Sequence, residues 1–182
     1  MTTFRTGNGA AWLDLLASLR GRYRAAQNDT IDSPDELRRW FRQFDLEPSE
    51  PITDGDVTLV VTTREALHRA TVAMIQHELP TRADQRTLNR ALQSDQPVEL
   101  RLRKGELELR APVTAAQALA RLVRDGVQLL AGPDRAQLHF CGDDTCSGIF
   151  LDQTGRRRWC SDQQCGNRLR VAAHRARAKQ QA

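Results

Sequence analysis

Aromatic residues are scarce in this 182-residue chain, at 5%, and there is a single tyrosine. Long apolar runs are absent. Stretches such as Val57–Val61 and Gly126–Gly132 fall far short of the roughly 20 residues that a membrane span needs. The first residues, Met1 to Asn8, lack the charged start, apolar stretch and small-residue cleavage site of a signal peptide, so the expected compartment is the cytoplasm and no membrane partner is expected. Residues 1–135 hold no phosphate-cradling glycine loop, no nucleophile elbow and no histidine pair on a carboxylate helix. His68 and His77 stand nine residues apart in separate turns and are read as structural. No enzyme is expected. Lysine is almost missing too, because 25 of the 27 basic residues are arginine; that bias fits GC-rich coding and is no evidence of base recognition.

What is present is globular: 40% hydrophobic and 27% charged residues, which argues against wholesale disorder. The length suits one ordinary core plus a small satellite, and the expected division is residues 1–135 and 136–182. Charge is divided unevenly. From Gly155 onward eight basic residues face one acid, Asp162, for a net +7, whereas residues 1–154 carry 19 basic and 22 acidic residues, a net −3. A basic tail on an acidic-to-neutral body is the electrostatic footprint of a polyanion-binding end, and a solvated cationic face is the bland alternative.

Helical periodicity dominates the first unit. Trp12, Leu15, Leu16, Leu19 and Tyr23 share one face of a predicted helix. Ser33-Pro34-Asp35-Glu36 supplies an N-cap, a proline at the first helical position and a capping-box glutamate, ahead of the core stripe Leu37, Trp40, Phe41 and Phe44. A long helix through Leu59, Thr63, Leu67, Ala70, Met74 and His77 has to stop near Pro80. A shorter one follows around 84–93. The period then changes to two: Val98, Leu100 and Leu102, a Lys104-Gly105 turn, then Leu107, Leu109 and Ala111, which is a β-hairpin near 98–111. Thr114 and Gln117 open a last helix that runs to Gly132-Pro133. The expected fold is mainly α with one β-hairpin, an α+β class.

Cys141-Gly-Asp-Asp-Thr-Cys146 and Cys160-Ser-Asp-Gln-Gln-Cys165 form two C-x4-C pairs. In a reducing compartment four cysteines so spaced point to metal rather than to disulfides. Four thiolates leave no open position for a catalytic water, so a single structural Zn²⁺ held by Cys141, Cys146, Cys160 and Cys165 is expected, in a treble-clef-like module. The Zn²⁺ tetrathiolate carries a net −2, so Arg156, Arg157 and Arg158 partly serve to neutralise it. Beyond Cys165, Leu169, Ala172, Ala173 and Ala176 form one helical face, and Arg170, His174 and Arg177 another, with Arg168 and Arg175 adjacent. A basic helix anchored at its start by a metal ligand has the right shape for the DNA major groove. RNA, packing on the body and an acidic protein are the alternatives, each less favoured than DNA.

The stretch from Phe140 to Arg170, with Phe150-Leu151-Asp152, Arg157-Arg158-Trp159-Cys160-Ser161 and Cys165-Gly166-Asn167-Arg168, closely resembles the CGNR zinc finger family over about 40 residues. Upstream, Asp32-Ser-Pro-Asp-Glu-Leu37 with Trp40, the Leu88-Asn89 pair and the hairpin are similar to the ABATE domain of bacterial stress-induced transcription regulators, across most of residues 10–135. One departure is Ala17-Ser18, where that family commonly carries Asn-Thr. The resemblance implies a helical N-terminal domain, a zinc module and DNA binding. The expected function is therefore a DNA-binding transcription regulator using Arg156, Arg157, Arg168, Arg170, His174, Arg175 and Arg177, with a homodimer interface, small-molecule effector site or protein partner at the N-terminal domain. The alternative is a protein-interaction adaptor with a zinc-stabilised tail.

Overall fold

The computed structural model describes residues 4–180. Five helices precede the cysteine-rich segment: α1 (Ala11–Leu16), α2 (Pro34–Gln43), α3 (Asp54–Ile75), α4 (Arg82–Leu92) and α5 (Ala115–Ala131). Four begin at a residue whose side chain satisfies an otherwise orphan N–H: Ser33 accepts from Glu36, Thr53 from Asp56, Thr81 from Asp84 and Thr114 from Gln117. Thr53 and Asp56 close a reciprocal capping box. The core lies between α1, α2, α3 and α5, around Trp12, Leu15, Leu37, Trp40, Phe41, Leu67, Leu119 and Leu122, all buried. Among the described residues no helix is long and apolar enough to cross a membrane.

The first helix is shorter than its apolar spacing predicts. It ends at Leu16, and the chain turns through Gly21 (φ +64°) to pair β1 (Leu19–Arg20) with β2 (Asn28–Asp29). Tyr23, expected on the buried face, is 73% exposed. A buried polar cluster explains the break. The Arg64 guanidinium, on α3, donates to Ser18 Oγ (2.8 Å) and to both Asp29 carboxylate oxygens (2.8 and 2.6 Å), and to Glu65 (2.9 Å), which also pairs with Arg22. Breaking the helix after Leu16 delivers Ser18 and Asp29 to a cation that would otherwise be buried alone. His68 lies beside this cluster, and burial, with Arg22, Arg69 and Arg64 nearby, pushes its imidazole down to about 3.

The predicted hairpin forms as β3 (Leu100–Arg103) and β4 (Glu106–Leu109), with Lys104 (φ 51°) and Gly105 (φ 84°) both left-handed, as a two-residue turn of this kind requires. After α5 and a 3-10 turn (Pro133–Gln137), a third hairpin pairs β5 (Leu138–Phe140) with β6 (Ile149–Leu151), and the chain ends in α6 (Asn167–Gln180). Periodicity does not foretell β1, β2 or β5, which are only two or three residues long, whereas β6 is the β-prone apolar stretch Ile149-Phe150-Leu151 between the cysteine pairs.

The β5–β6 hairpin is built into the helical core. Leu138, Ile149 and Leu151 belong to the same buried cluster as Trp12 and Leu119. The Leu151 N–H donates to the Asn8 carbonyl (2.8 Å), and Gly9 sits so close that a Cβ there would lie 2.8 Å from the Leu151 Cβ. Asp14 holds this N-terminal segment by accepting from the Gly7 and Asn8 N–H groups and the Asn8 side chain.

Candidate metal centre and basic helix

Each cysteine is placed by a distinct local device. Cys141 follows β5 and its N–H donates to the Gly148 carbonyl (2.8 Å); Cys146 closes a turn with its N–H on the Asp143 carbonyl (2.8 Å). Cys160 ends the loop after β6. Cys165 sits in a π-helical turn (Asp162–Gly166), capped by Ser161 Oγ accepting from the Gln164 N–H, that runs directly into α6. Hydrogen-bonded aspartates shape the loops: Asp143 accepts from the Thr145 N–H and hydroxyl, and Asp152 from those of Thr154 and from the Arg157 N–H.

The four Sγ atoms lie within 4.8 Å of one another, with Cys146–Cys160 at 3.6 Å and Cys160–Cys165 at 3.7 Å. A tetrahedron with zinc–sulfur arms of about 2.3 Å has edges of about 3.8 Å, so the donor set fits one Zn²⁺. Gly148 completes the cradle, since a Cβ there would approach Cys160 Sγ to 2.7 Å, and its N–H donates to Cys146 Sγ (3.3 Å). Burial and the nearby Cys146 sulfur push the Cys165 thiol up to about 11, whereas hydrogen bonds from Cys141, Cys160, Gly148 and Arg5 pull Cys146 down. Bound Zn²⁺ stabilises all four thiolates together.

Two arginines donate to the cysteine sulfurs. Arg5 reaches over from the N-terminal segment, its Nη1 donating to Cys146 Sγ (3.4 Å) and Cys160 Sγ (3.6 Å) while its other nitrogens hold Gln164. Nothing in the spacing of the cysteines announces a partner from the opposite end of the chain. Arg168 donates to Cys165 Sγ (3.6 Å) and to Asp143, whose side chain is 2% exposed. Against the pull of burial, hydrogen bonds from Thr145 and Arg168 hold the Asp143 carboxyl below its usual range.

The expected polyanion-binding residues thus fall into two groups. Arg157 is held within the module: its Nε donates to the Trp159 carbonyl (2.8 Å), its Nη2 to the Cys160 carbonyl, and its guanidinium lies 4.7 Å from the Phe150 ring centre. Arg168 is committed to Asp143. Arg170 pairs with Asp162 (2.9 Å), but both side chains are more than half exposed. Arg156, His174, Arg175 and Arg177 are exposed and form no ion pair among the described residues. The apolar stripe expected along α6 is not buried: Leu169 is half-buried, Ala172 and Ala173 are exposed, and the Ala176 and Lys179 side chains lie outside the described residues. The helix projects from the module with solvent around most of its length. Arg158, credited only with neutralising the cluster, is exposed over the Trp159 ring (5.3 Å). It edges an open groove of about 480 Å³ with His139, Phe140, Trp159 and Arg170.

The fold and site define an α+β protein whose C-terminal module is a structural four-cysteine zinc finger. Residues 137–178 match the CGNR zinc finger family. Residues 9–133 match ABATE, a family described as "Putative stress-induced transcription regulator", and the chain belongs to that family. A search of curated proteins returns no significant match. At the family's departure point, Ala17-Ser18, the Ser18 hydroxyl donates to the Leu15 carbonyl and accepts from Arg64, so it has a structural role here.

Proposed function

We propose that the protein is a cytoplasmic, non-enzymatic transcription regulator that binds duplex DNA through α6. The observation that carries this reading is a helix fixed at its start by a zinc ligand, with His174, Arg175 and Arg177 in solvent and no acidic partner among the described residues. Anchoring the helix in advance reduces the ordering entropy that binding has to overcome. Arg156 and Arg158 extend the cationic surface from the loop before Cys160. Arg170 can exchange its exposed Asp162 for phosphate or a base edge, because an ion pair so solvated contributes little. Arg157 and Arg168 act instead as supports of the module.

A titration of zinc-loaded protein against random and genomic duplexes tests the reading. With four to six phosphate contacts, log K falls against log salt with a slope of about −4 to −5. Arg175→Ala lowers that slope by about 1 on every sequence, whereas loss of a base-reading Arg170 costs roughly 1–3 kcal/mol on the preferred site alone. Equally negligible affinity of the wild type and an R170A/R177A variant at low salt refutes DNA binding and favours the adaptor. A second reading has its own observation: the groove with Phe140 43% exposed, Trp159 and two arginines resembles a stacking site for an unpaired base. Tighter binding of single-stranded than of duplex oligonucleotides would select it.

A further inference from the structure

The β3–β4 hairpin presents an apolar face that no other described residue covers. Its register sets Leu100 opposite Leu109 and Leu102 opposite Leu107, so four leucines share one side, while Arg101 faces Glu108 and Arg103 faces Glu106 on the other. The leucines are 69%, 76%, 74% and 61% exposed in the order 100, 102, 107, 109. A single two-stranded hairpin is marginal in water unless a hydrophobic face is covered, and a patch of this size seldom stays bare on a monomer. Yet the base is firmly attached. Ser49 and Glu50 donate backbone N–H groups to the Pro112 and Val113 carbonyls, Arg121 donates to the Arg110 carbonyl, and Arg110 pairs with Glu99 (2.7 Å). The hairpin is held at its root and projects its leucines outward.

We propose that this face is a homodimer interface, in which the leucine faces of two copies of this chain pack together about a two-fold axis. Three features favour a second copy. The hairpin carries both halves of a self-complementary surface: Leu102 and Leu107 form a knob beside the turn, and at the root a groove of about 690 Å³ is lined by Val98, Leu109, Phe44 and Leu46. With the two hairpins antiparallel, each knob meets the partner's groove, the reciprocal contact that an isologous interface requires. The groove rim carries Asp45 and Asp125, which complement Lys104 at the turn beside the knob. Burying the leucines and grooves of two copies removes on the order of 1,000 Å² from water, the lower bound for a specific interface, and predicts a dissociation constant in the micromolar range. The four arginine and glutamate side chains of the outer face stand opposite one another across the strands, so that face does not call for a charged partner.

Sedimentation velocity of the zinc-loaded full-length protein across a concentration series tests this. The expected result is a concentration-dependent monomer–dimer equilibrium, with the dissociation constant raised more than about 100-fold in L102E/L107E. That variant should keep its far-ultraviolet spectrum and one zinc per chain, because neither leucine is packed in the monomer. Hydrogen exchange on the wild type gives an independent reading. Amide protection at residues 98–109 and 44–46 should increase with concentration. A wild type that stays monomeric at about 100-fold above micromolar, a dimer that survives L102E/L107E, or protection that does not change with concentration overturns the proposal. The test uses no nucleic acid, so its failure is distinguishable from failure of the DNA reading.

Discussion

Ending the chain after Gly132 removes the zinc module together with the β5–β6 hairpin, and the structure makes this more than the loss of a tail. Apolar faces along residues 10–131 suggest that such a fragment would remain cooperatively folded. However, Leu138, Ile149 and Leu151, at 3%, 3% and 8% exposure, are part of the helical core. At roughly 1.5–3 kcal/mol for each buried aliphatic side chain, their withdrawal forfeits about 5–9 kcal/mol, or about 3–6 once residual compactness of the unfolded chain is allowed for. The Asn8–Leu151 backbone bond is lost as well. Domains of this size have a stability of about 5–15 kcal/mol, so the fragment should be marginal or unfolded. Urea unfolding followed by circular dichroism should show the midpoint of residues 1–132 far below that of the full chain, or no cooperative transition. A fragment within about 1 kcal/mol of the full chain would refute the shared-core argument.

Cys165→Ser should abolish binding of the single Zn²⁺, read by metal analysis, and unwind the start of α6, because metal affinity supplies folding free energy on the order of 10 kcal/mol in modules this small. Trp40→Ala should destabilise by roughly 3–5 kcal/mol in chemical denaturation, since the ring is fully buried and stacks on Phe44 at 4.5 Å; a loss below about 1 kcal/mol would refute its place in the core. His68 titrates far below its unfolded value near 6.5, so its neutral form stabilises the fold above that pH and the stability is lost as pH falls from 6.5 towards 3. At about pH 5 this loss amounts to about 2 kcal/mol. His68→Gln should flatten the stability profile between about pH 7 and 5 relative to the wild type, and an identical pH slope in the two would refute the assignment.

Two of the capped helices were legible because a cap is a local exchange between a side chain and N–H groups three residues on, and Ser33 and Thr114 sit where that chemistry is needed. The zinc ligands were legible for a similar reason: two short C-x4-C loops offer four thiolates at the spacing a structural zinc site uses. The Lys104-Gly105 turn and the leucine–leucine pairing of β3 and β4 likewise follow from a period of two around a left-handed dipeptide.

Tertiary structure alone decided which elements those local rules would yield and what they would face. Helix α1 stops at Leu16 because Arg64, 46 residues beyond Ser18, needs buried partners, and no pattern within residues 11–23 records that demand. Arg5 meets the zinc sulfurs, Leu151 enters the helical core, and the arginines of the basic segment divide into supports and free cations, since each outcome depends on distances between residues far apart in the chain. Composition and spacing thus determined the metal, the helices and the charge at the C-terminal end; whether an arginine neutralises a buried carboxylate or stands in solvent is set by desolvation, which exists only once the chain has folded.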